Sequence, residues 1–246
     1  MPTVRTGPVI GLIAQVVLLV GLAGTVGLGA AGWLAGLVVG AVTCAALIGG
    51  LHRTGAPGLG PADRVTLARA TLVGGATALA ADSFDRPVPV PVLVALVLVA
   101  LALDAVDGKV ARHTGTVSEL GARFDMEVDA FLLLVLSLYV ARPVGAWALA
   151  IGAMRYAFVA AMWVLPWMRR TLPPRYWRKV VAATQGIVLV VATAGVLPRA
   201  LAAAALAAAL ALLVESFGRD VVWLWQCRVE PGVVRGRLRA EAARQP

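Results

Sequence analysis

Charged residues, cysteine, histidine and aromatic residues are all scarce in this chain of 246 residues. Charged residues make up 14% of it, against roughly a quarter in ordinary soluble domains. The two cysteines, Cys44 and Cys227, lie far apart, and so do the two histidines, His52 and His113. Their number and spacing argue against a disulfide framework and against a zinc site.

Apolar residues are abundant instead. They make up 60% of the chain, and the mean hydropathy is +0.87, which indicates a protein of the lipid bilayer. A helix that crosses the hydrocarbon needs about 20 mostly apolar residues. The sequence therefore predicts an all-α polytopic membrane protein with eight spans, near 9–30, 33–51, 65–81, 88–107, 124–141, 144–167, 180–197 and 199–217.

The first two spans form a hairpin rich in glycine and alanine, a composition that allows close helix packing. The first span is too long for the apolar region of a signal peptide, and a second follows at once, so we expect both to be structural. We expect three parts: a hairpin and linker over 1–57, a membrane domain over 58–217, and a basic tail over 218–246.

The basic residues predict the topology. With eight spans, eighteen of the 22 lysines and arginines fall on one side, Arg86, Arg142 and Arg199 on the other, and Arg155 within a span. Basic residues gather on the cytoplasmic side of membrane proteins. We therefore expect a multi-pass protein of the plasma membrane with both termini cytoplasmic. We attribute the formal charge of +9 to this topology and expect no nucleic-acid partner.

Four aspartates lie close together in an otherwise apolar region. Asp104 and Asp107 are three residues apart, and Asp125 and Asp129 are four apart, so each pair shares one face of a helix. A short polar turn joins the two spans, which makes them antiparallel neighbours with both pairs at the same depth. Glu127 points away from the aspartates beside it. Intramembrane acids are usually functional.

Facing carboxylates repel one another unless a cation lies between them. Hard oxygen ligands suit Mg²⁺ or Mn²⁺, and four carboxylates can hold two divalent ions. A purely structural alternative is that the aspartates cap helix ends or pair with Lys109, Arg112 and Arg123. Small residues near the aspartates, Gly108, Ala111 and Gly121, indicate close approach of a ligand or of another helix. Arg112 could clamp a phosphate, so the whole pattern is typical of a diphosphate site.

The stretch Asp104-x2-Asp107-Gly108-x2-Ala111-Arg112-x8-Gly121-x3-Asp125-x3-Asp129 resembles the signature of the CDP-alcohol phosphotransferases at every defined position. The resemblance covers roughly 58–217 and implies a core of six helices, with the hairpin outside it. It implies transfer of a phosphatidyl or similar group from a CDP-linked lipid to an alcohol, with release of CMP.

The resemblance also implies separate roles for the site residues. Asp104, Asp107 and Asp125 would be metal ligands. Asp129 would contact the second metal and act as the general base on the acceptor hydroxyl. The implied contacts with the CDP-linked lipid are Asp63, Thr66, Arg69, Gly108, Ala111, Arg112, Ser118 and Gly121.

The stretch "GPADRVTLARATL" is similar to the family's cytidine-pocket pattern, often Pro-Asn-x-x-Thr-x-x-Arg. Asp63 replaces the commoner asparagine, and the proline is displaced to Pro61, which weakens the Asp63 contact more than that of Thr66. A structural alternative is an N-cap at the membrane interface with Arg69 extended toward water.

The acceptor side is less well defined. Arg155 lies within a span and needs an anionic partner or a watery cavity. Lys179 and Gln185 have a spacing that resembles relatives acting on glycerol phosphate. Arg155 and Lys179 are therefore the acceptor candidates. The alternative for the second region is a topology anchor with a belt of aromatic residues, Trp167, Tyr176 and Trp177.

Other function classes stay open. An aspartate-rich intramembrane prenyltransferase would lack the glycine, alanine and arginine frame of the signature. An ion-coupled transporter would carry its acids across the bilayer, whereas these cluster near one surface. A catalytically inactive relative is a third alternative. The expected partners are a CDP-linked lipid donor, a small or lipid alcohol that is phosphorylated or not, membrane lipid and, by the resemblance, a second copy of the chain.

Overall fold

The structure is a computed structural model that describes residues 6–55, 58–114, 118–170, 172–173 and 175–229, with the side chains of all but 105, 107–114 and 229. Its regular structure over these residues is entirely helical, as predicted. The eight α-helices are α1 (Thr6–Val26), α2 (Ala30–Thr54), α3 (Pro61–Asp82), α4 (Val90–Thr114), α5 (Glu119–Val144), α6 (Leu149–Val164), α7 (Tyr176–Ala194) and α8 (Arg199–Val229).

The sixth predicted span, 144–167, is more broken than expected. Helix α5 ends just after Pro143, and Gly145 takes a positive φ of 137° that side chains rarely adopt. A short 3₁₀ turn, Ala146–Ala148, then leads into α6, and a second, Pro166–Arg169, follows it. Prolines and a glycine in this backbone geometry therefore shorten the regular helix to 16 residues.

The last helix is longer than predicted. Helix α8 continues to Val229, past the expected end of the span at residue 217. Leu224 and Asp220 are both buried in this extension. Arg178 of α7 donates to Asp220 at 3.0 Å, and Arg170 donates to the carbonyl oxygen of Cys227 at 2.6 Å. Residues 218–229 therefore belong to the helical bundle, although they were expected in the tail.

Five helices, α1, α2, α6 with its preceding 3₁₀ turn, α7 and α8, are long and apolar enough to cross a membrane. Of the other three, α3 and α5 carry several charged residues of the region with the aspartates. Helix α4 begins with a long apolar stretch, Val90–Asp104. Charges of the candidate site therefore weaken the membrane signal of α3 and α5.

Helix α3 lies at the centre of this half of the bundle, where it packs against α1, α2, α4 and α5. Half of its buried positions are alanine or glycine, including Ala70, Gly74, Ala76 and Ala78. Small residues let helix backbones approach closely when the surroundings are as apolar as the side chains. The composition of α3 therefore explains how four helices surround it.

The N-terminal hairpin is tied to α3 by a buried carboxylate. Asp82, at the end of α3, accepts hydrogen bonds from the backbone N–H groups of Gly29 and Gly32 at 2.7 and 2.8 Å. These groups belong to the start of α2, where backbone donors have no partner within the helix and negative charge is favourable. Arg86 pairs with the same carboxylate. One side chain therefore caps α2 and joins the hairpin to the core.

Glycine controls the contact between α5 and α6. A Cβ atom on Gly152 would collide with the Cα of Leu134, and it would lie 2.8 Å from the backbone nitrogen of Leu134. Replacing Gly152 by alanine should force the helices apart and lower the free energy of unfolding by about 1–3 kcal/mol. Thermal unfolding in detergent measures the loss as a lower midpoint temperature.

Gly24→Ala is the matched control, because a Cβ on Gly24 would meet no atom within 4 Å. We expect it to be neutral or slightly stabilising, since alanine favours helix. Equal midpoints for the Gly152→Ala and Gly24→Ala proteins would contradict the close approach of α5 and α6.

Candidate active site

The first turns of α3 position the first group of predicted residues. Pro61 begins the helix, and the backbone N–H of Gly60 donates to the Asp63 carboxylate at 3.0 Å, as in a capping box. The Thr66 hydroxyl donates to the carbonyl oxygen of Ala62 at 3.3 Å. Asp63 and Thr66 are both buried. Asp63 therefore takes part in capping α3 from the N3 position, while Gly60 is the N-cap itself. Contact of Asp63 or Thr66 with a CDP-linked lipid stays a prediction.

Arg69 lies two turns into α3, with only 1% of its surface exposed. Its guanidinium forms ion pairs with three carboxylates from two other helices. Nη1 lies 2.9 Å from Asp104 of α4 and also contacts Asp125 of α5, while Nη2 contacts Asp129. A planar guanidinium presents several donors in fixed directions, so it can hold several carboxylates at once.

These three carboxylates, which we call the aspartate triad, converge as the sequence predicted. One oxygen from each of Asp104, Asp125 and Asp129 lies within 4.8 Å of the others. Such a group of oxygen ligands is the kind that Mg²⁺ and Mn²⁺ prefer. The triad side chains are 43%, 36% and 46% exposed, so the site is open on one side while Arg69 closes the other.

The rest of the signature on α4 is described only in part. The helical backbone continues through Asp107, Gly108, Ala111 and Arg112 to Thr114. Their side chains lie outside the described residues. The fourth carboxylate and the phosphate clamp therefore stay predictions from the sequence.

Close packing explains why position 121 is a glycine. A Cβ atom on it would overlap the Asp63 carboxylate and would lie 2.9 Å from the Ser118 hydroxyl oxygen. Ser118 is the N-cap of α5, and its hydroxyl accepts a hydrogen bond from the Gly121 N–H at 2.9 Å. The glycine therefore lets the start of α5 contact the start of α3. Of the two expectations for this glycine, the structure shows the approach of a neighbouring helix.

Glu127 lies on α5 between two members of the triad but takes no part in it. Its carboxylate pairs with Arg155 of α6. Positions 125 and 129 share a face, whereas position 127 is rotated about 200° from the first of them. The sequence indicated both the outward direction of Glu127 and the need of Arg155 for an anionic partner. It did not connect the two residues, which are 28 positions apart.

The second acceptor candidate lies elsewhere. Lys179 is exposed in the first turn of α7. Gln185 is buried and donates from Nε2 to the carbonyl oxygen of Ala209 at 2.8 Å, so it joins α7 to α8. Tyr176 is also exposed, and Trp177 donates to Glu215 at 3.2 Å. This surface agrees with the anchor alternative as well as with an acceptor site.

The family model described as CDP-alcohol phosphatidyltransferase matches residues 59–214. This range contains all members of the triad, Arg69 and the complete sequence signature. The comparisons with curated proteins and with solved structures gave no match. The predicted resemblance is confirmed at the level of the family.

The ion pairs of Arg69 generate a stability prediction. In Arg69→Gln the three carboxylates would face one another without their cation, so we expect a loss of about 1–3 kcal/mol in chelated buffer, moderated by the partial exposure of the aspartates. Adding Mg²⁺ should raise the unfolding midpoint of this variant more than that of the wild type. Thermal unfolding in detergent, with and without Mg²⁺, measures both effects.

Arg123→Gln is the control, because Arg123 pairs with Glu119 at 2.6 Å at a well exposed site. Exposed pairs contribute little, so its midpoint should stay near that of the wild type. An Arg69→Gln protein as stable as the wild type in chelated buffer would show that the triad does not need the guanidinium.

Proposed function

The chain belongs to the CDP-alcohol phosphatidyltransferase family, and on this basis we propose that it moves a phosphatidyl group from a CDP-linked lipid to an alcohol and releases CMP. CDP-diacylglycerol is the donor we favour. The family match supports this transferase over the prenyltransferase and the ion-coupled transporter. The single observation that carries the proposal is the convergence of the aspartate triad inside the matched range.

We assign the metal site to Asp104, Asp107, Asp125 and Asp129. The three of these whose side chains are described supply oxygen ligands close enough to share a cation. Mg²⁺ or Mn²⁺ held there would stabilise negative charge on the attacking and leaving oxygens of the transfer. Two ions are the number we propose, because four carboxylates can hold a pair.

Asp129 is our candidate for the general base. Its carboxylate takes the proton of the acceptor hydroxyl, and the acceptor oxygen forms a bond to the lipid-side phosphorus of the diphosphate. The bond from that phosphorus to the oxygen of CMP breaks, and its electron pair leaves with CMP. The 46% exposure of the Asp129 side chain gives an acceptor access to the carboxylate.

Arg69 contributes to the same site in a way that differs from the first expectation. The resemblance implies a contact of Arg69 with the CDP-linked lipid, and in the structure its guanidinium contacts the triad. We propose that it holds the three carboxylates together in the absence of divalent ions. Divalent ions bound to the carboxylates would take over this role, and the guanidinium could then bind the donor phosphates. This keeps its role with the donor and adds one with the triad.

The remaining donor contacts are proposed from the signature, at Asp63, Thr66, Ser118 and Gly121 and at the positions on α4. On the acceptor side we propose Arg155, which lies on α6 beside α5 and is held by Glu127. An arginine with one carboxylate partner can exchange it for a phosphate of an acceptor. Lys179 is a second, exposed candidate. We also propose a plasma-membrane location with both termini cytoplasmic, and assembly as a homodimer.

The reaction is tested by CMP release from CDP-diacylglycerol by the purified full-length protein. The panel of acceptors should include serine, glycerol phosphate, inositol phosphate and a lipid alcohol. We expect one of them to give turnover that stops on exhaustive chelation and returns with Mg²⁺ or Mn²⁺. Full activity after chelation would contradict the metal assignment. A lack of CMP release with every acceptor would contradict the proposed reaction.

The role of Asp129 is tested by Asp129→Asn, with Glu127→Gln as the matched control on the same helix. Loss of a general base costs about 10²–10⁴-fold in rate, so CMP release should collapse while binding of the CDP-linked lipid largely survives. Glu127→Gln removes a carboxylate outside the triad and should keep most of its turnover. Equal damage in the two variants would refute the assignment of the base to Asp129.

A further inference from the structure

A groove runs between α1 and α3. Helix α1 belongs to the hairpin, which the family model leaves unmatched. Its volume is about 530 Å³. Ile10, Gly11 and Ala14 of α1 and Leu67 and Ala68 of α3 line it. The lining of α1 extends from Thr6 to Ala14, which corresponds to about 12 Å along the helix. The groove thus has the length and the apolar character to hold part of an acyl chain.

Most residues that line the groove are apolar, and its hydroxyl groups come from Thr6 and Thr71. Thr71 donates its hydroxyl to the carbonyl oxygen of Leu67 at 3.1 Å. Its hydrogen-bond donor is therefore already used within α3. Leu51 of α2 and Leu59 of the loop before α3 complete the lining, and both are buried. A hydrocarbon chain fits such surroundings better than a polar ligand does.

Among the described residues that line the groove, one is charged. Arg64, in the first turns of α3, is the charged member of its lining, and its side chain is exposed. Within the part of the chain that the structure describes, Arg64 forms no ion pair. An arginine beside an apolar groove matches an amphiphile with a phosphate at one end.

The groove is separate from the aspartate triad. At 100° per residue, Arg64 and Arg69 project about 140° apart around α3. Leu67, Ala68 and Thr71 share the side of Arg64, whereas Thr66 lies on the other side of the helix. A phosphate bound at Arg64 is therefore separate from a diphosphate held at the triad.

We propose that this groove binds an anionic phospholipid of the surrounding membrane, with its phosphate at Arg64 and one acyl chain between α1 and α3. The site joins the hairpin to the catalytic core through a lipid. It stands whether or not the proposed transfer reaction is correct, because none of its residues belongs to the triad.

A second recess of the molecule supplies an internal comparison. It has a volume of about 330 Å³ and is formed by Leu72 of α3 and by residues of α4 that include Ala95 and Val99. All of its lining residues are uncharged. It can accept an acyl chain, but it has no charged side chain that would favour an anionic headgroup over a neutral one. Selectivity for anionic lipid should therefore depend on the first groove alone.

The test is native mass spectrometry of the full-length protein in detergent with dioleoyl phosphatidylglycerol or dioleoyl phosphatidylcholine. We expect the wild type to bind the anionic lipid more tightly, and Arg64→Gln to lose about fivefold of that affinity, the usual effect of one basic residue near a membrane surface. Arg175→Gln is the matched control. It removes an exposed arginine before α7, away from the groove, and should leave the affinity unchanged.

A second pair of variants tests the position of the acyl chain. Ala68→Trp fills the groove and should abolish selective binding, whereas Ala95→Trp fills the uncharged recess and should preserve it. Equal losses in Arg64→Gln and Arg175→Gln would attribute selectivity to overall charge and overturn the proposal. Selective binding that survives Ala68→Trp would overturn it too.

Discussion

The contact between one buried arginine and three aspartates organises the half of the bundle that contains the site. The four residues come from three helices: Arg69 from α3, Asp104 from α4, and the other two aspartates from α5. None of these charges would be favourable alone in such an apolar bundle of helices. Together they neutralise one another in part and fix the relative positions of three helices. On α3 and α5, the charges that weaken the membrane signal also help to hold the two helices together.

The small residues of α3 and α5 follow from this arrangement. Arg69 can reach carboxylates on two helices only if α4 and α5 both lie close to α3. The alanines and glycines of α3 allow that approach, and Gly121 allows it at the start of α5. The residues that surround the charges are therefore as necessary to the site as the charges themselves.

Much of the fold could be predicted from the sequence, because apolar stretches of membrane length are a strong signal. The convergence of Asp104, Asp125 and Asp129 could be predicted too, since spacing along two adjacent helices determines which side chains share a face. The position of Arg69 could not. Its partners lie 35 to 60 residues away, on helices whose rotation about α3 depends on packing. The pairing of Glu127 with Arg155 was missed for the same reason.

The carboxylate at the end of α3 has a consequence for how the protein is made. Membrane helices leave the ribosome in order, so the hairpin of α1 and α2 is synthesised before Asp82. Until α3 follows, the donors at Gly29 and Gly32 lack the partner that they have in the finished protein. Unsatisfied backbone groups are costly near lipid. The capping of α2 therefore depends on a residue that is synthesised only with the third helix.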